Sequence, residues 1–272
     1  MAKPSPSRAA LPAVAPARGL RVGAAAAARG LPLLALIGLW QLAALWVDGP
    51  QLPAPLAVAR VLWQESLSGQ LWWHLGATLA RVALAFAIAM GLGVVLGVVM
   101  GRSAVLNRLF DPLLVTLLNI PALVVIILLY IWVGLNEYAA VAAVVINKVP
   151  NVAVTLREGA RSLDRQYQSL AQVYRLGWRA RLQHIWLPQL SPFLLVASRS
   201  GLALIWKIVL VVELMGRSNG VGFQLHLGFQ MFDVALILAY SLAFIAVVHA
   251  LEWCWLQPWE RRQNRWRREA AL

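Results

Sequence analysis

Apolar residues run along this chain in blocks, and most polar residues are gathered between the blocks. A helix needs about 20 apolar residues to cross the roughly 30 Å hydrocarbon core of a bilayer. By that measure six spans are predicted, at residues 31–47, 76–101, 112–133, 138–156, 192–212 and 234–256. Between the first two, a Pro-rich turn leads into a short amphipathic helix carrying Leu56, Val61, Leu62, Trp63 and Leu67. The tryptophans at its end (Trp63, Trp72, Trp73) suit a helix lying at the membrane surface.

The longest polar interruption, residues 157–190, carries six arginines. Taken as one helix at 100° per residue, it places Leu163, Tyr167, Leu170, Tyr174 and Trp178 on one side. Arg161, Arg165, Gln168, Gln172, Arg175 and Arg179 fall opposite. Two readings stay open here: an element that docks a partner, or a basic helix resting on anionic lipid. Its end, "IWLPQLSP", puts Pro188 and Pro192 where a break into the fifth span is expected.

Composition agrees with the blocks. The 272 residues are 61% hydrophobic and 13% charged, against about half and a quarter in soluble domains. No stretch outside the spans exceeds about 35 residues, too few to bury a core of its own. The expected organisation is a basic, irregular N-terminal tail (1–30), one all-α polytopic membrane domain (31–256) and a basic C-terminal tail (257–272). The single cysteine, Cys254, excludes an intramolecular disulfide and a thiolate metal cluster.

The net charge of +13 is explained by topology. With both termini inside, 18 of the 24 Lys and Arg residues fall in cytoplasmic segments and two, Arg60 and Arg217, fall outside. That bias is a positive-inside signal, so the 157–190 loop is placed in the cytoplasm and no nucleic-acid partner is called for. The remaining four, Arg81, Lys148, Arg199 and Lys207, sit within spans.

Intramembrane charge is the next signal. Asn147, Lys148, Asn151 and Thr155 form a polar stripe over about one third of the fourth span's wheel. One reading is a pathway lined by cations and amides, suited to an anion, with Asn147, Lys148, Asn151 and Lys207 as its candidates. The other has Lys207 snorkelling outward, Arg199 reaching inward, and Lys148 meeting carbonyls freed by Pro150. Glu137, Glu213, Asp233 and Glu252 all lie near span ends, which weighs against proton- or sodium-coupled transport.

Candidate chemistry is otherwise sparse. "GLGVVLG" lies inside a span, so Gly93, Gly97 and Gly101 are read as a face for close helix packing. No phosphate-binding Gly-Lys-Ser/Thr loop is present, and His74, His184, His226 and His249 are scattered surface or interface residues without ligand spacing. No catalytic or metal-ligating set is legible. Gly216, Gly220 and Gly222 permit either a re-entrant turn or a plain loop after the fifth span.

The 157–190 loop resembles the EAA loop of ABC-importer permeases, written EAA-x3-G-x9-I-x-LP. Ile185, Leu187 and Pro188 match its end; the EAA triplet falls on Ser169, Leu170 and Ala171, and the glycine falls on Arg175. The final Ala matches, whereas Ser169 replaces the Glu and Arg175 the turn Gly, with Gly177 two residues on as a substitute. "LPAP", "MGRS", "DPLL…IPAL…VGLNE" and "VVELMGRSNGVGF" are similar to the nitrate/sulfonate/taurine-type branch, so the likeness runs from Trp40 to Trp259.

The resemblance implies a type I importer permease fold in the bacterial cytoplasmic (inner) membrane. It also implies a second permease copy, usually identical, two cytoplasmic ABC ATPase subunits that hold ATP and Mg, and an external substrate-binding protein. This chain would hold no cofactor and would contact membrane lipid. Residues 169–175 would be the coupling helix, with Ser169, Leu170, Ala171, Gln172, Tyr174, Arg175 and Gly177 meeting the ATPase. The expected function is alternating-access import of a small anion. An ATP-independent secondary transporter or channel, or a membrane scaffold, is the competing reading.

Overall fold

The computed structural model describes residues 18–47 and 49–256, and every regular element among them is helical. The described residues divide into two compact units, one up to Pro55 and the other from Leu56. The first holds α1 (Arg18–Val47), whose apolar portion is Leu34–Val47. The Trp40 indole donates to the Pro53 carbonyl at 3.1 Å, folding the Pro-rich turn back on this helix. Helix α1 begins at Arg18, inside the N-terminal tail expected to be irregular. Residues 1–17 of that tail, and the whole C-terminal tail 257–272, lie outside the described residues.

The second unit holds α2 (Pro55–Leu67), α3 (Gln70–Arg102), α4 (Ala104–Asn119), α5 (Ala122–Val133), α6 (Glu137–Arg161), α7 (Arg165–Val173), α8 (Trp178–Arg181), α9 (Leu187–Gly216), α10 (Val221–Met231) and α11 (Val234–Leu251). Among the described residues, four helical stretches are long and apolar enough to cross a membrane: Gln70–Arg102, Glu137–Arg161, Trp178–Gly216 and Val234–Cys254. The α4–α5 pair makes a fifth if its bend is counted as one span.

Helices α3, α6 and α9 form the centre of this unit. In hydrocarbon, helices gain little from burying apolar surface, so association depends on close backbone approach. The glycines at spacings of four on α3 supply it. A Cβ at Gly93 would come within 2.5 Å of Val152 Cβ, one at Gly101 within 2.6 Å of Ala160 Cβ, and one at Gly97 would strike the Ala153 carbonyl oxygen. The packing face expected from the sequence is therefore realised against α6. Helix α9 closes on α6 in the same way, with Phe193 seated over Gly159.

The third predicted span is not one straight rod. It is bent by 97° between α4 and α5. Pro121 cannot donate a backbone hydrogen bond and drives the preceding Ile120 to extended geometry (ψ 125°), so the helix stops and restarts. Helix α4 also starts earlier than the predicted span, at Ser103, whose hydroxyl caps it through Leu106 N at 3.3 Å.

The single helical wheel drawn through residues 161–179 is also corrected. Asp164 stops the register and caps α7 by accepting from Gln166 N at 2.8 Å. Helix α7 then ends at Val173, and a turn intervenes before α8. No break occurs at Pro188 or Pro192, where one was expected. The path from Trp178 to Gly216 is continuous, passing through a π-helical turn at Leu182–Trp186. The Leu187 amide reaches back five residues to the Leu182 carbonyl there. That widened turn lies over the carbonyl of His184, which Pro188 could neither bond nor clear in a tight α-turn.

Candidate functional site

The two ends of the bundle carry different chemistry. At the basic end, the 157–190 segment is built as three short pieces. Asp164 N donates to Gln189 Oε1 at 2.9 Å, tying the loop's entry to the base of α9. Helix α7 closes with a Schellman motif: Leu176 N donates to Ala171 O at 2.9 Å and Arg175 N to Gln172 O at 3.0 Å. This geometry requires a left-handed residue after the cap, and Arg175 takes it with φ +47°. The structure thus puts Arg175 in the conformation that a glycine adopts most easily. Gly177, with φ −63° and ψ 161°, is ordinary extended backbone and does not take over that role.

Around this turn, Ala171 is 2% exposed and is the buried anchor of α7. Leu170 is half exposed, Tyr174 is 70% exposed, and Tyr167, Val173 and Trp178 are exposed as well. Ser169, Gln172, Arg175 and Gly177 are also at the surface. The sequence-predicted coupling residues are therefore gathered on one short capped helix and its exit turn. Of the aromatic and aliphatic side chains that share one side of the wheel, Tyr167, Leu170, Tyr174 and Trp178 are exposed and Leu163 is buried.

The candidate pathway residues are less united. Asn147 donates to Ala143 O at 2.8 Å, Asn151 to Asn147 O at 3.3 Å, and Thr155 to Asn151 O at 3.0 Å. All three amide and hydroxyl groups thus bond back to α6 itself. Lys148 is 1% exposed, and its Nζ has no hydrogen-bond partner. It makes no bond to carbonyls freed by Pro150, although that was one reading of the sequence. Lys207 is exposed on α9 and lies about 120° around the helix from Gly201, which faces Lys148.

At the opposite end lies a buried polar cluster that the sequence reading missed. Arg81 on α3 forks onto Glu137 at the start of α6, with Nε at 2.8 Å and Nη2 at 2.6 Å. Its Nη1 reaches Glu213 Oε1 on α9 at 2.6 Å and Asn219 O at 3.0 Å, and Nη2 also bonds Asn219 Oδ1. Glu213, completely buried, accepts further from Thr78 Oγ1 and Gly222 N, each at 2.9 Å. Arg217 joins Glu137 at 2.7 Å. Two cations and two carboxylates with this many donors meet the condition under which buried ion pairs survive desolvation.

The chain after α9 is folded onto this cluster. Gly220 has φ +110° and lies against the Glu213 carboxylate, so a side chain there would both strain the backbone and collide. Its amide donates to His74 Nδ1 at 3.0 Å, and the Gln224 side-chain amide lies 2.7 Å from His74 Nε2. His74, for which a surface or an interface position was expected, is thus buried where α3 meets the α9–α10 turn. Helix α10 packs back on α9, α3 and α11. The signal available in the sequence was Arg81 in the second span, a cation without a stated counterion. Beside the cluster, a groove of about 940 Å³ opens between α3 and α6, with Trp72, Trp73 and Tyr138 on its walls and Arg81, Glu137 and Asn219 at its polar end.

Comparison with known proteins converges on one group. Residues 89–253 match the model of the binding-protein-dependent transport system inner membrane component family. The chain is 33% identical over 231 residues to the putative aliphatic sulfonates transport permease protein SsuC of Escherichia coli (strain K12), covering 82% of this chain and 88% of that one. It is 29% identical over 239 residues to the taurine transport system permease protein TauC of the same organism (85% and 86% covered). It is 27% identical over 246 residues to the bicarbonate transport system permease protein CmpB of Synechococcus elongatus (84% and 88% covered).

Solved structures show the same fold. An amino acid ABC transporter chain superposes with TM-score 0.60 at 18% identity, covering 74% of this chain and 97% of that one. A chain of the MetNI methionine ABC transporter superposes with TM-score 0.56 at 16% identity (73% and 94% covered). The predicted all-α ABC-importer permease architecture is thereby established, with four or five long spans in residues 56–256 where the sequence count gave five there and one before. The chain belongs to the family of binding-protein-dependent transport system inner-membrane components.

Proposed function

We propose that this permease carries a small oxyanion inward by alternating access, driven by a separate ABC ATPase that docks on α7. The observation that carries the reading is the α7 surface. A nine-residue helix, capped at both ends and anchored through buried Ala171, presents Leu170, Val173 and Tyr174 to solvent. Exposed aromatic and aliphatic side chains on a rigid, polar-flanked element suit a protein partner. The Asp164–Gln189 and Schellman contacts stiffen the element enough to pass force into α6 and α9.

The substrate class is inferred from two sides. Sulfonates, taurine and bicarbonate, named for the three relatives above, each present a charged oxygen group, and α6 carries the candidate pathway set Asn147, Lys148 and Asn151, with Lys207 on α9. In this reading ATP and Mg belong to the partner ATPase, an external binding protein delivers the solute, and the permease works as a homodimer in lipid. Both termini and the 157–190 segment face the cytoplasm, as the basic bias requires.

The test is reconstitution of the full chain in liposomes with and without the ABC ATPase from the same genome, together with its binding protein. ATP-dependent accumulation of labelled taurine, an alkanesulfonate or bicarbonate is expected. Uptake at the same rate without the ATPase would overturn the proposal in favour of a secondary transporter or channel. Stable association with no uptake of any anion would favour a scaffold.

A further inference from the structure

Among the described residues, the Lys148 ammonium is a buried cation without a hydrogen-bond partner. It sits where three helices meet: α6 carries it, Gly201 of α9 faces it, and Phe86 of α3 stands beside that same glycine. A Cβ built on Gly201 would lie 3.0 Å from Lys148 Cε, 3.6 Å from Nζ and 3.7 Å from Phe86 Cε2. A side chain at residue 201 would press on the lysine, which would have to give by a few tenths of an ångström.

Nothing described in the chain neutralises this charge. Nζ is without a hydrogen-bond partner and the residue is 1% exposed. The nearest polar groups along α6, Asn147 and Asn151, donate to carbonyls of their own helix, and neither side-chain oxygen accepts from Nζ. The carboxylates of the bundle are engaged elsewhere: Glu137 and Glu213 with Arg81 at one end, Asp111 and Glu158 with Arg157 at the other. An isolated buried cation is costly in a low-dielectric interior, and a charged lysine in a span is ordinarily paired or hydrated.

We infer that Lys148 Nζ is an occluded binding group for a small oxyanion, reached when α9 moves off α6 at Gly201. An ammonium is a point charge with three donors, able to hold oxygen atoms of a sulfonate, nitrate or bicarbonate without demanding one planar geometry. The glycine sets the size limit, since Phe86 and the α9 backbone close the junction on either side of it. This deepens the anion-import reading of the preceding section and rests on it for the direction of access only.

The experiment is thermal unfolding of the purified full chain in detergent, at constant ionic strength, with sodium methanesulfonate, nitrate or bicarbonate replacing sodium gluconate. Gluconate serves as the oversized control. At saturating anion a rise of about 3–5 °C in the unfolding midpoint is expected for at least one of the three. Lys148→Met, which keeps length without charge, abolishes the rise while leaving the gluconate midpoint unchanged or higher. Gly201→Val keeps the lysine but fills the space beside it, and raises the anion concentration needed at least tenfold; it serves if Lys148→Met does not fold.

A wild-type midpoint indifferent to all three anions, or a full rise in both variants, would overturn the site. ATPase association measured on the same preparations separates the two proposals. A chain that binds the ATPase but shows no anion effect sinks the Lys148 site alone, whereas failure of both sinks the import reading as well.

Discussion

Arg81 Nη1 and Glu213 Oε1 meet at 2.6 Å in the interior of the bundle, joining α3 to α9 across 132 residues of sequence. Glu213 is wholly buried, and Arg81 nearly so. Because Glu137, Asn219, Thr78 and Gly222 satisfy the rest of both groups, the pair is one part of a network that locks three helices and the α9–α10 turn together.

Removing one charge from that network leaves the other buried and uncompensated. Glu213→Gln is expected to destabilise the protein by about 3 kcal/mol, and Arg81→Met by a similar or larger amount. Unfolding midpoints in detergent check this, and a double-mutant cycle gives the pair's own share. Two single variants with wild-type midpoints would show that the network carries no weight.

The α3 glycines separate close packing from open space. Gly97 has the Ala153 carbonyl oxygen and Leu156 Cβ where a side chain would go, whereas Gly91 has nothing within 4 Å. Gly97→Ala should therefore cost about 1–3 kcal/mol through forced separation of α3 and α6. Gly91→Ala should gain up to about 1 kcal/mol from helix propensity. Equal effects of the two substitutions would refute the packing role.

Arg175 occupies a left-handed position at φ +47°. A side chain there costs about 1–2 kcal/mol, partly offset in Arg175→Gly by glycine's extra freedom in the unfolded chain, about 0.5–1 kcal/mol. The glycine variant is expected to slow hydrogen exchange at the Arg175 and Leu176 amides, and Arg175→Val, β-branched, to speed it. The reverse order would mean that the turn is not held as described.

On α7, Leu170 and Tyr174 are exposed while Ala171 is the anchor. Leu170→Asp and Tyr174→Ala should each weaken association with the ATPase by about tenfold, a loss typical of a central contact, with little change in the permease's own unfolding. Ala171→Leu should instead disturb the permease itself. If the ATPase binds both surface variants with undiminished affinity, the coupling surface lies elsewhere.

Much of this could be read from residues alone, for definite reasons. Apolar blocks of the right length, the basic bias and the α3 glycine spacing each act locally or along a single helix. Ala171 and the Ile185, Leu187 and Pro188 ending were enough to align this segment with the EAA loop of the family. The wheel drawn through it fails, because one wheel presumes one unbroken helix; Asp164 and Arg175 stop that helix through caps whose partners are two to five residues away.

The sequence by itself determined that this chain is a helical membrane protein of the importer-permease kind. Length and hydropathy suffice for the helical membrane part, since lipid demands that each backbone group be bonded within its own segment, and the likeness of the 157–190 loop to the EAA loop supplied the importer-permease part. Only the tertiary structure decided which polar residues face one another. Arg81 found Glu137 and Glu213, His74 found the Gly220 amide, and Lys148 was left opposite Gly201 with no partner of its own. Those outcomes depend on rotation and depth of separate helices against each other, set by close approaches such as Gly97 on Ala153 and Gly159 under Phe193. Periodicity within one helix carries no information about its neighbour's register.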